Sequence, residues 1–379
     1  MKCLKTGTFL LIILLGFISC TKESVVDPTD YDTLDRVLES EFTKYRIPGM
    51  AYVSLKNDSI LIMEAKGYAD VAKEKAFTPQ TRMNIASISK TIVATAIMQL
   101  YEQEKLELDS DINQYLPFQI SNPHYPAVPL TIKMLLTHTS SISDKNNVFS
   151  LFQMQGFVDY PQALSQFLGD VLTTEGQYYK EDTYTSSEPG TFFEYSNIGA
   201  SLAGLIVETV SGLEFNEYCK SKIFLPLGMN SSSFLFSETP KEEIAIPYYD
   251  VNVTNPDNPF FSYPDYPAGH LITTIEDMSK FLRAYIMDGS FNGYQLLEKA
   301  TIELMLQPYL LDGPREQGFI WRSGKIGNTT LWRHGGADTG ITTNMGFDPI
   351  TKAGFIVFMN RHSCYPLPAY VSLLKYAQQ

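Results

Sequence analysis

The sequence predicts an α/β chain, of the α+β kind, in which one sheet is assembled from both chain ends and a mainly helical region is inserted between them. Three observations predict it. Near the start, two apolar segments at 50–56 and 59–68 meet at Asn57-Asp58, a hairpin signal. Near the end, four strand-like segments at 319–322, 329–333, 342–347 and 354–359 are separated by Gly, Asn and Asp-Pro turns. Between these groups the apolar spacing becomes helical, most plainly at Ile88, Ile92, Ala96 and Leu100 with Val93 and Ile97 beside them.

Taken in order, residues 31–45 read as an amphipathic helix ended by Ile47-Pro48-Gly49. After the hairpin comes Asn84-Ile85-Ala86-Ser87-Ile88-Ser89-Lys90, which leads into a helix apolar on so many sides that it must be buried. Residues 106–117 are rich in turns, and 131–137 start another helix on an Ile132, Leu135, Leu136 face. Residues 146–172 are aromatic and helical in parts. Further helices are expected at 215–224 and 275–287, the second capped by Thr273 or Thr274 with Asp277 in its first turn. Between them 248–266, rich in Tyr, Phe, Pro and Asn, reads as a long ordered loop. A helix at 367–377 closes the chain, and no internal repeat is present.

With 379 residues, 44% hydrophobic and 19% charged, the composition is that of an ordinary globular protein of one or two domains. Lys2 and Lys5 precede an apolar run from Phe9 to Ile18, which is too short for a permanent span and is followed by Ser19-Cys20. These are the parts of a secretory signal, and the cysteine at the break resembles a bacterial lipobox, with Phe17 where leucine is usual. The expected organisation is therefore a signal peptide over 1–19, a tether over 20–30 lipidated on Cys20, and one domain over 31–379. Within that domain the sheet draws on 31–84 and 310–379 and the helical region on 85–309. The protein is expected to be exported and held in the cell envelope by its lipid anchor. Loss of Lys2 and Lys5 would take the formal charge from −13 to −15, which argues against nucleic acid as a partner. Of four cysteines, Cys219 and Cys364 would remain after cleavage and acylation, and one disulfide between them is open. Five histidines stand singly, with no Cys or His pairs at ligand spacing, so neither metal nor other cofactor is expected.

Ser87 and Lys90 are three residues apart. On the first turn of a helix they share a face, close enough for the amine to take or hold the hydroxyl proton, and the helix N-terminus favours the negative charge that develops there. Ser-x-x-Lys also occurs at Ser19 and Ser372, so the pattern alone is weak evidence. Its weight comes from the company it keeps. In order along the chain stand Ile47-Pro48-Gly49, Ser87-Ile88-Ser89-Lys90, Leu135-Leu136-Thr137-His138-Thr139-Ser140, Pro189-Gly190-Thr191-Phe192, Tyr195-Ser196-Asn197, Pro226-Leu227-Gly228-Met229 and His334-Gly335-Gly336, and Tyr-x-Asn occurs only once.

By these motifs, over roughly residues 35–377, the chain resembles the serine β-lactamase and penicillin-recognising family. The branch is the one that holds class C β-lactamases, D-aminopeptidases, DD-carboxypeptidases and many esterases. The resemblance implies a β-lactamase-like antiparallel sheet flanked by helices. It implies Ser87 as the acyl-accepting nucleophile, Lys90 as its proton partner, Tyr195 as a second acid/base that passes a proton to the leaving group, and Asn197 as a hold on Lys90 and the substrate. The backbone N–H groups of Ser87 and Ala337 would form the oxyanion hole.

Two departures qualify it. Relatives commonly carry Lys-Thr-Gly at the third motif to grip a substrate carboxylate, whereas here the substrate-binding positions are His334, Gly335 and Gly336. With a reference pKa near 6.5, His334 is expected to be mostly neutral at pH 7 and to gain charge as pH falls. Arg322, Arg333 and Arg361 are candidates to compensate. His270, in Pro267-Ala268-Gly269-His270, stands where relatives often have a second glycine; it projects toward the substrate or it packs, and both stay open. His138 reads as a structural hydrogen-bonding residue.

The first functional reading is an exported serine hydrolase acting on a small-molecule ester or amide other than a classical β-lactam. An acyltransferase serving a bulky hydrophobic alcohol such as a sterol is a second, suggested by the aromatic stretches 149–184 and 248–266. A β-lactamase or D-amino-peptidase, and a non-catalytic binding or sensor lipoprotein, complete the alternatives.

Overall fold

The computed structural model describes residues 30–145, 152–249, 259–312, 315–326 and 329–379. The expected leader, the tether with Cys20, and parts of 146–172 and 248–266 lie outside these residues. Among them, nine strands form one sheet. They are β1 (Gly49–Lys56), β2 (Ser59–Asp70), β3 (Lys75–Ala76), β4 (Leu310–Asp312), β5 (Arg315–Gln317), β6 (Arg322–Ile326), β7 (Thr329–Asp338), β8 (Ile341–Asp348) and β9 (Ala353–Met359). The order across the sheet is β4-β5-β6-β7-β8-β9-β1-β2-β3. Every neighbouring pair is antiparallel, and the two chain ends join where β1 pairs with β9, from Met50 opposite Met359 to Lys56 opposite Ala353.

That junction explains why β1 and β9 are apolar at almost every position. Successive side chains of a strand point to opposite faces, and here helices cover both. Met50 and Tyr52 pack with Leu34 and Leu38 of the Tyr31–Lys44 helix and with Leu373 and Leu374 of the Leu367–Gln378 helix. Ala51, Val53 and Leu55 join the larger core with Ile92, Phe281 and Phe358. Asp30 starts the first helix by accepting the Thr33 N–H at 2.7 Å. The β1–β2 turn is made by Asn57 at φ +52°, a conformation asparagine tolerates better than most residues.

The inserted region contains helices at Ser89–Glu102, Ile132–Leu136, Leu164–Leu172, Asn197–Ser211, Phe215–Cys219, Ile275–Ile286 and Lys299–Met305. All residues from Ser89 to Leu100 are buried, as the breadth of the apolar spacing required. Thr131 and Thr274 cap their helices through the Met134 and Asp277 N–H groups. The expected helix at 215–224 is helical only to Cys219 and continues as a π-helical turn, Lys220–Phe224.

Several expectations need correction. The Asn197–Ser211 helix has no amphipathic stripe to announce it, because Ile198 to Val207 are all buried and small residues interrupt the pattern. Gly204 lets this helix approach the Pro267 ring; a Cβ there would stand 2.8 Å from Pro267 Cβ. The segment 319–322 is not a strand before Arg322. Phe319, Ile320 and Trp321 are wholly buried, and the N–H groups of Phe319 and Ile320 bond to the Met305 and Leu136 carbonyls at 2.8 and 2.7 Å, so this run plugs the sheet against helix ends. The strand expected over 329–333 runs on to Asp338 and takes the third motif with it. The loop 248–266 contains a short pairing of Phe261–Ser262 with Met154–Gln155. Cys219 and Cys364 are both free thiols, buried in separate clusters, so no disulfide joins them.

Candidate active site

Ser87 sits in the middle of a tight turn, Ala86–Ile88, that runs directly into the Ser89–Glu102 helix. The turn is pinned from several sides. Asn84 Oδ1 accepts the Ala86 N–H at 2.7 Å, Ser89 Oγ donates to the Ala86 carbonyl at 2.6 Å, and the same Ser89 oxygen accepts the Leu271 N–H at 3.0 Å. These bonds hold Ala86 at φ +50°, a left-handed conformation that costs about 1–2 kcal/mol outside glycine. The helix cap is Ile88, with no side-chain cap bond, so the half-buried Ser87 hydroxyl is not engaged in capping.

Lys90 is wholly buried, and a buried amine must have its donors satisfied. Nζ donates to Ser87 Oγ at 3.1 Å, to Asn197 Oδ1 at 2.6 Å and to the Ala268 carbonyl at 2.6 Å. None of these acceptors is a carboxylate; the carboxyls of Asp144 and Asp265 act on the amine through space, without a direct hydrogen bond. Ala268 comes from the Tyr266–Ala268 turn, whose Pro267 packs on Gly204. Tyr195 completes the group. Its ring centroid lies 5.0 Å from Lys90 Nζ, 4.5 Å from the His138 ring and 6.5 Å from the His334 ring.

Asp144 is the residue that sequence reasoning missed. Its Oδ2 accepts the Asn197 N–H at 2.6 Å and the Asn197 side-chain amide at 2.9 Å, while Oδ1 accepts Ser196 Oγ at 3.0 Å and the Ile198 N–H at 3.2 Å. One carboxylate thereby satisfies the start of the Asn197–Ser211 helix and forces the Asn197 amide to turn its oxygen toward Lys90. Burial raises the Asp144 carboxyl above its usual range despite the downward pull of those donors and of Lys90. The available signal was an acidic residue closing the Ser/Thr-rich run after His138. His138 itself is structural, as read: at φ +55°, its Nδ1 accepts the Ser196 N–H at 3.3 Å, and burial, then Lys90, hold it far below the usual histidine range.

The third motif lies on β7. Gly336 presses on the nucleophile turn, where a Cβ would stand 2.3 Å from both the Ile85 carbonyl and Thr343 Oγ1; the two bond to each other at 2.9 Å. Only glycine lets the strand lie this close, and the next residue is Ala337. His334 is buried and its Nδ1 donates to the Gly335 carbonyl at 2.8 Å. Burial, then Lys90, pushes its pKa down to about 3. The expectation that His334 gains charge as pH falls through 6.5 is therefore overturned, because an imidazolium here would be desolvated beside an amine. Arg322 lies with its guanidinium carbon 4.5 Å from the centroid of Phe193.

A cleft of about 320 Å³ opens beside Ser87, with Asn197, Tyr263, Asp265, Ala337 and Asp338 in its wall. Tyr195, His334, Gly335 and Gly336 are not part of that wall. His270 borders it, yet both ring nitrogens face backbone carbonyls, Nδ1 to Phe234 at 2.9 Å and Nε2 to Phe261 at 3.1 Å. A neutral imidazole, which burial favours here, donates to one of these two carbonyls only, and the buried ring stands edge-on to Phe236 at 4.6 Å, so the contacts it makes are those of the packing alternative. Most described aromatics of the two candidate stretches also pack. Phe152 meets Phe167 and Tyr178, and Phe157 and Phe260 meet Phe236 in a small separate core.

A serine paired with a buried lysine, with a tyrosine and an asparagine at their side and an antiparallel sheet behind them, defines a serine-hydrolase class of site. The chain belongs to the Beta-lactamase family, a family of serine hydrolases whose model matches residues 34–368. Protein flp of Staphylococcus aureus (strain N315) is 28% identical over 262 residues, covering 66% of this chain and 48% of that protein. Penicillin-binding protein 4* of Bacillus subtilis (strain 168) is 28% identical over 201 residues, covering 52% and 40%. This chain thus spans about half the length, or less, of these curated relatives. The structure of the octameric penicillin-binding protein homologue from Pyrococcus abyssi superposes with a TM-score of 0.72 at 26% identity, over 91% of this chain and 76% of that one. A class C beta lactamase from Rhodobacter sphaeroides shares the fold, with a TM-score of 0.70 at 20% identity over 92% of this chain and 98% of the other.

Proposed function

We propose that this protein hydrolyses an ester or amide other than a classical β-lactam through an acyl-enzyme on Ser87. The observation that carries the reading is the 3.1 Å hydrogen bond between Lys90 Nζ and Ser87 Oγ, made by an amine that Asn197 and Ala268 hold in place. In acylation the Ser87 oxygen bonds to the substrate carbonyl carbon while its proton passes to Lys90 in its neutral form. In that form Nζ keeps its donations to Asn197 and Ala268 and turns its lone pair to Ser87 Oγ, and Tyr195 shares the proton. The bond to the leaving group then breaks as that proton is delivered to the departing oxygen or nitrogen. Negative charge on the carbonyl oxygen meets the Ser87 and Ala337 N–H groups. Water repeats the sequence on the acyl-enzyme, and the acid leaves. Positioned proton transfer of this kind is worth about 10²–10⁴ in rate.

Two features favour a substrate without the carboxylate that penicillins carry. His334 stays neutral, and Gly335 has no hydroxyl to offer. The packing of most described aromatics of those stretches into cores, with Tyr263 and Tyr266 left in the cleft wall, favours water over a bulky alcohol as the acyl acceptor. Lys2, Lys5, the run from Phe9 to Ile18 and Cys20 support export and lipid anchoring of the same protein.

The test is intact-mass spectrometry after exposure to a mixed panel of esters, amides of D-amino acids and β-lactams. An acyl adduct on wild type that is missing from Ser87→Ala supports the reading and identifies the acyl group. An adduct formed with β-lactams alone restores β-lactamase, and no adduct with any member, together with no turnover, leaves a binding protein.

A further inference from the structure

We propose that Asp338 is a positioning residue for the oxyanion hole: one oxygen of its carboxyl ties the end of β7 to the opposite wall of the cleft and thereby aims the Ala337 N–H. The proposal rests on the acyl-enzyme reading and names the residue on which one of the two oxyanion donors depends.

Ala337 stands where the sheet gives little support. β7 pairs with β6 only from Thr329 to Arg333 and with β8 as far as Asp338, so residues 334–338 have a neighbouring strand on one side alone. The nucleophile turn lies against this stretch, and Gly336 leaves no space between them, since a Cβ there would stand 2.3 Å from the Ile85 carbonyl. The strand end cannot move closer to Ser87; it can only draw back.

Nor does the hairpin fix its own tip. Asp338 pairs with Ile341 across Thr339-Gly340. In a loop of two residues the favoured turns take positive φ at the first central position or at both. Here Gly340 has φ +74°, and Thr339 is not among the residues at positive φ. Ties from outside must therefore hold the tip. On the β8 side, Thr342 Oγ1 donates to the Arg361 carbonyl at 2.8 Å and accepts the Cys364 N–H at 3.2 Å. On the β7 side the ties are those of Asp338. Its Oδ1 accepts the Thr339 N–H at 2.6 Å and the Tyr263 hydroxyl at 3.1 Å, and its backbone carbonyl accepts from His362 Nδ1 at 3.0 Å.

Tyr263 gives Asp338 its reach. It directly follows Phe261–Ser262, which pairs with Met154–Gln155, and its hydroxyl accepts Gln153 Nε2 at 3.2 Å. Gln153, Tyr263 and Asp338 all line the cleft with Ser87 and Ala337. One carboxyl oxygen thus joins the turn after Ala337 to the ribbon on the other side of the cleft. Without it, His362 still holds the Asp338 carbonyl and the strand stays in the sheet, but its end is no longer tied to the ribbon, and the Ala337 N–H is displaced from the point where charge develops. Loss of a whole oxyanion donor costs about 10²–10³ in kcat, and a displaced donor costs part of that.

The experiment measures kcat and KM for p-nitrophenyl butanoate and for its thionoester, in which sulfur replaces the carbonyl oxygen, in wild type, Asp338→Ala, Asp338→Asn and Tyr263→Phe. Labelling of Ser87 by a fluorophosphonate probe is followed in parallel. Donors placed for oxygen discriminate against the larger sulfur, so the ratio of the two kcat/KM values reports their placement and is not moved by a loss of folded protein. Asp338→Ala should lower kcat for the oxygen ester about tenfold, with KM changed by less than about threefold, and should lower the oxygen-to-sulfur ratio by at least about threefold. Tyr263→Phe removes the same tie from its other end and should lower the ratio by at least as much. Asp338→Asn keeps Oδ1 and puts its NH₂ in place of Oδ2, which accepts from neither Tyr263 nor Thr339, so its ratio should stay within about threefold of wild type. A smaller change of ratio in Asp338→Ala or in Tyr263→Phe overturns the proposal and leaves the hydrolase reading standing. An Asp338→Asn ratio as low as that of Asp338→Ala also overturns it, since the charge and not the tie would then be what acts. If Asp338→Ala does not fold, Tyr263→Phe decides. Absence of both labelling and turnover in wild type removes the hydrolase reading and the positioning role with it.

Discussion

Replacing Asp144 by alanine removes the one group that ties the start of the Asn197–Ser211 helix to the orientation of Asn197. Four donors lose their acceptor: Ser196 Oγ, the Asn197 and Ile198 N–H groups and the Asn197 side-chain amide. A hydrogen bond to a charged group contributes about 1.5–3 kcal/mol. The sum is not realised, because burying the carboxylate is itself costly, as its raised pKa records, and because Asp144 is partly accessible to water that can refill the space. A net loss of about 2–4 kcal/mol of stability is expected. Activity should fall further than stability explains. Once unpinned, the Asn197 amide can rotate its NH₂ toward Lys90, and the 2.6 Å acceptor that holds the amine against Ser87 is lost. A decrease in kcat on the order of 10²-fold is expected, with KM changed by less than about threefold, since the amine acts on the chemical step. Asp144→Asn keeps one acceptor oxygen and should recover part of the stability but little of kcat, because its own amide opposes that of Asn197. The assay is kcat and KM for a neutral aryl ester, with urea denaturation of the same preparations. An Asp144→Ala enzyme that loses the expected stability yet keeps kcat within twofold of wild type would refute the reasoning: Asp144 would then be a helix cap and nothing more.

Other consequences are open to measurement. Ser87→Ala should abolish the acyl adduct while lowering stability by about 1–3 kcal/mol, since the hydroxyl does not cap the helix but its loss leaves one donor of the buried Lys90 without an acceptor; a larger loss by denaturation would place the hydroxyl in the fold. Asp265 has its pKa raised from 3.8 to about 7, so the folded state binds this proton more tightly than the unfolded chain, and stability falls as pH rises between those values. Asp265→Asn should accordingly match wild type near pH 4 and exceed it at pH 8, by up to about 4 kcal/mol, since a tenfold difference in proton affinity is about 1.4 kcal/mol. Equal melting temperatures for the two proteins at pH 8 would contradict this. With His334 pushed down to about 3, His334→Gln should leave unchanged the pH dependence, from about 5.5 to 8, of the ratio of kcat/KM for an anionic and a neutral ester. A rise toward low pH centred near 6.5 that is present in wild type and lost in His334→Gln would return His334 to the role of a charge switch.

Much of the scaffold was legible because it is written at short range. The hairpin at Asn57, the buried Ser89–Glu102 helix and the Thr274 cap each depend on residues within a few positions of one another. The Ser87–Lys90 pair belongs to the same kind of information, since three residues along a helical turn put two side chains on one face whatever surrounds them. The family motifs extended this to Tyr195, Asn197 and the third motif, but as labels on positions rather than as geometry.

What only the tertiary structure decided concerns groups brought together over long separations, where burial and partners set the chemistry. Asp144 reaches Asn197 across 53 residues, and nothing local distinguishes it from any other acidic residue after a Ser/Thr-rich run. His334 reads as a titrating switch in isolation, yet desolvation beside Lys90 removes that property. His270 was open to bind or to pack, and only the fold shows it buried between the Phe234 and Phe261 carbonyls and edge-on to Phe236. The acidic wall of Asp265 and Asp338 exists only because 73 residues of chain fold back to one cleft. The physical reason is common to all four: a side chain's type is local, but its charge state and its free valence depend on the dielectric and the partners around it, and those are properties of the folded whole.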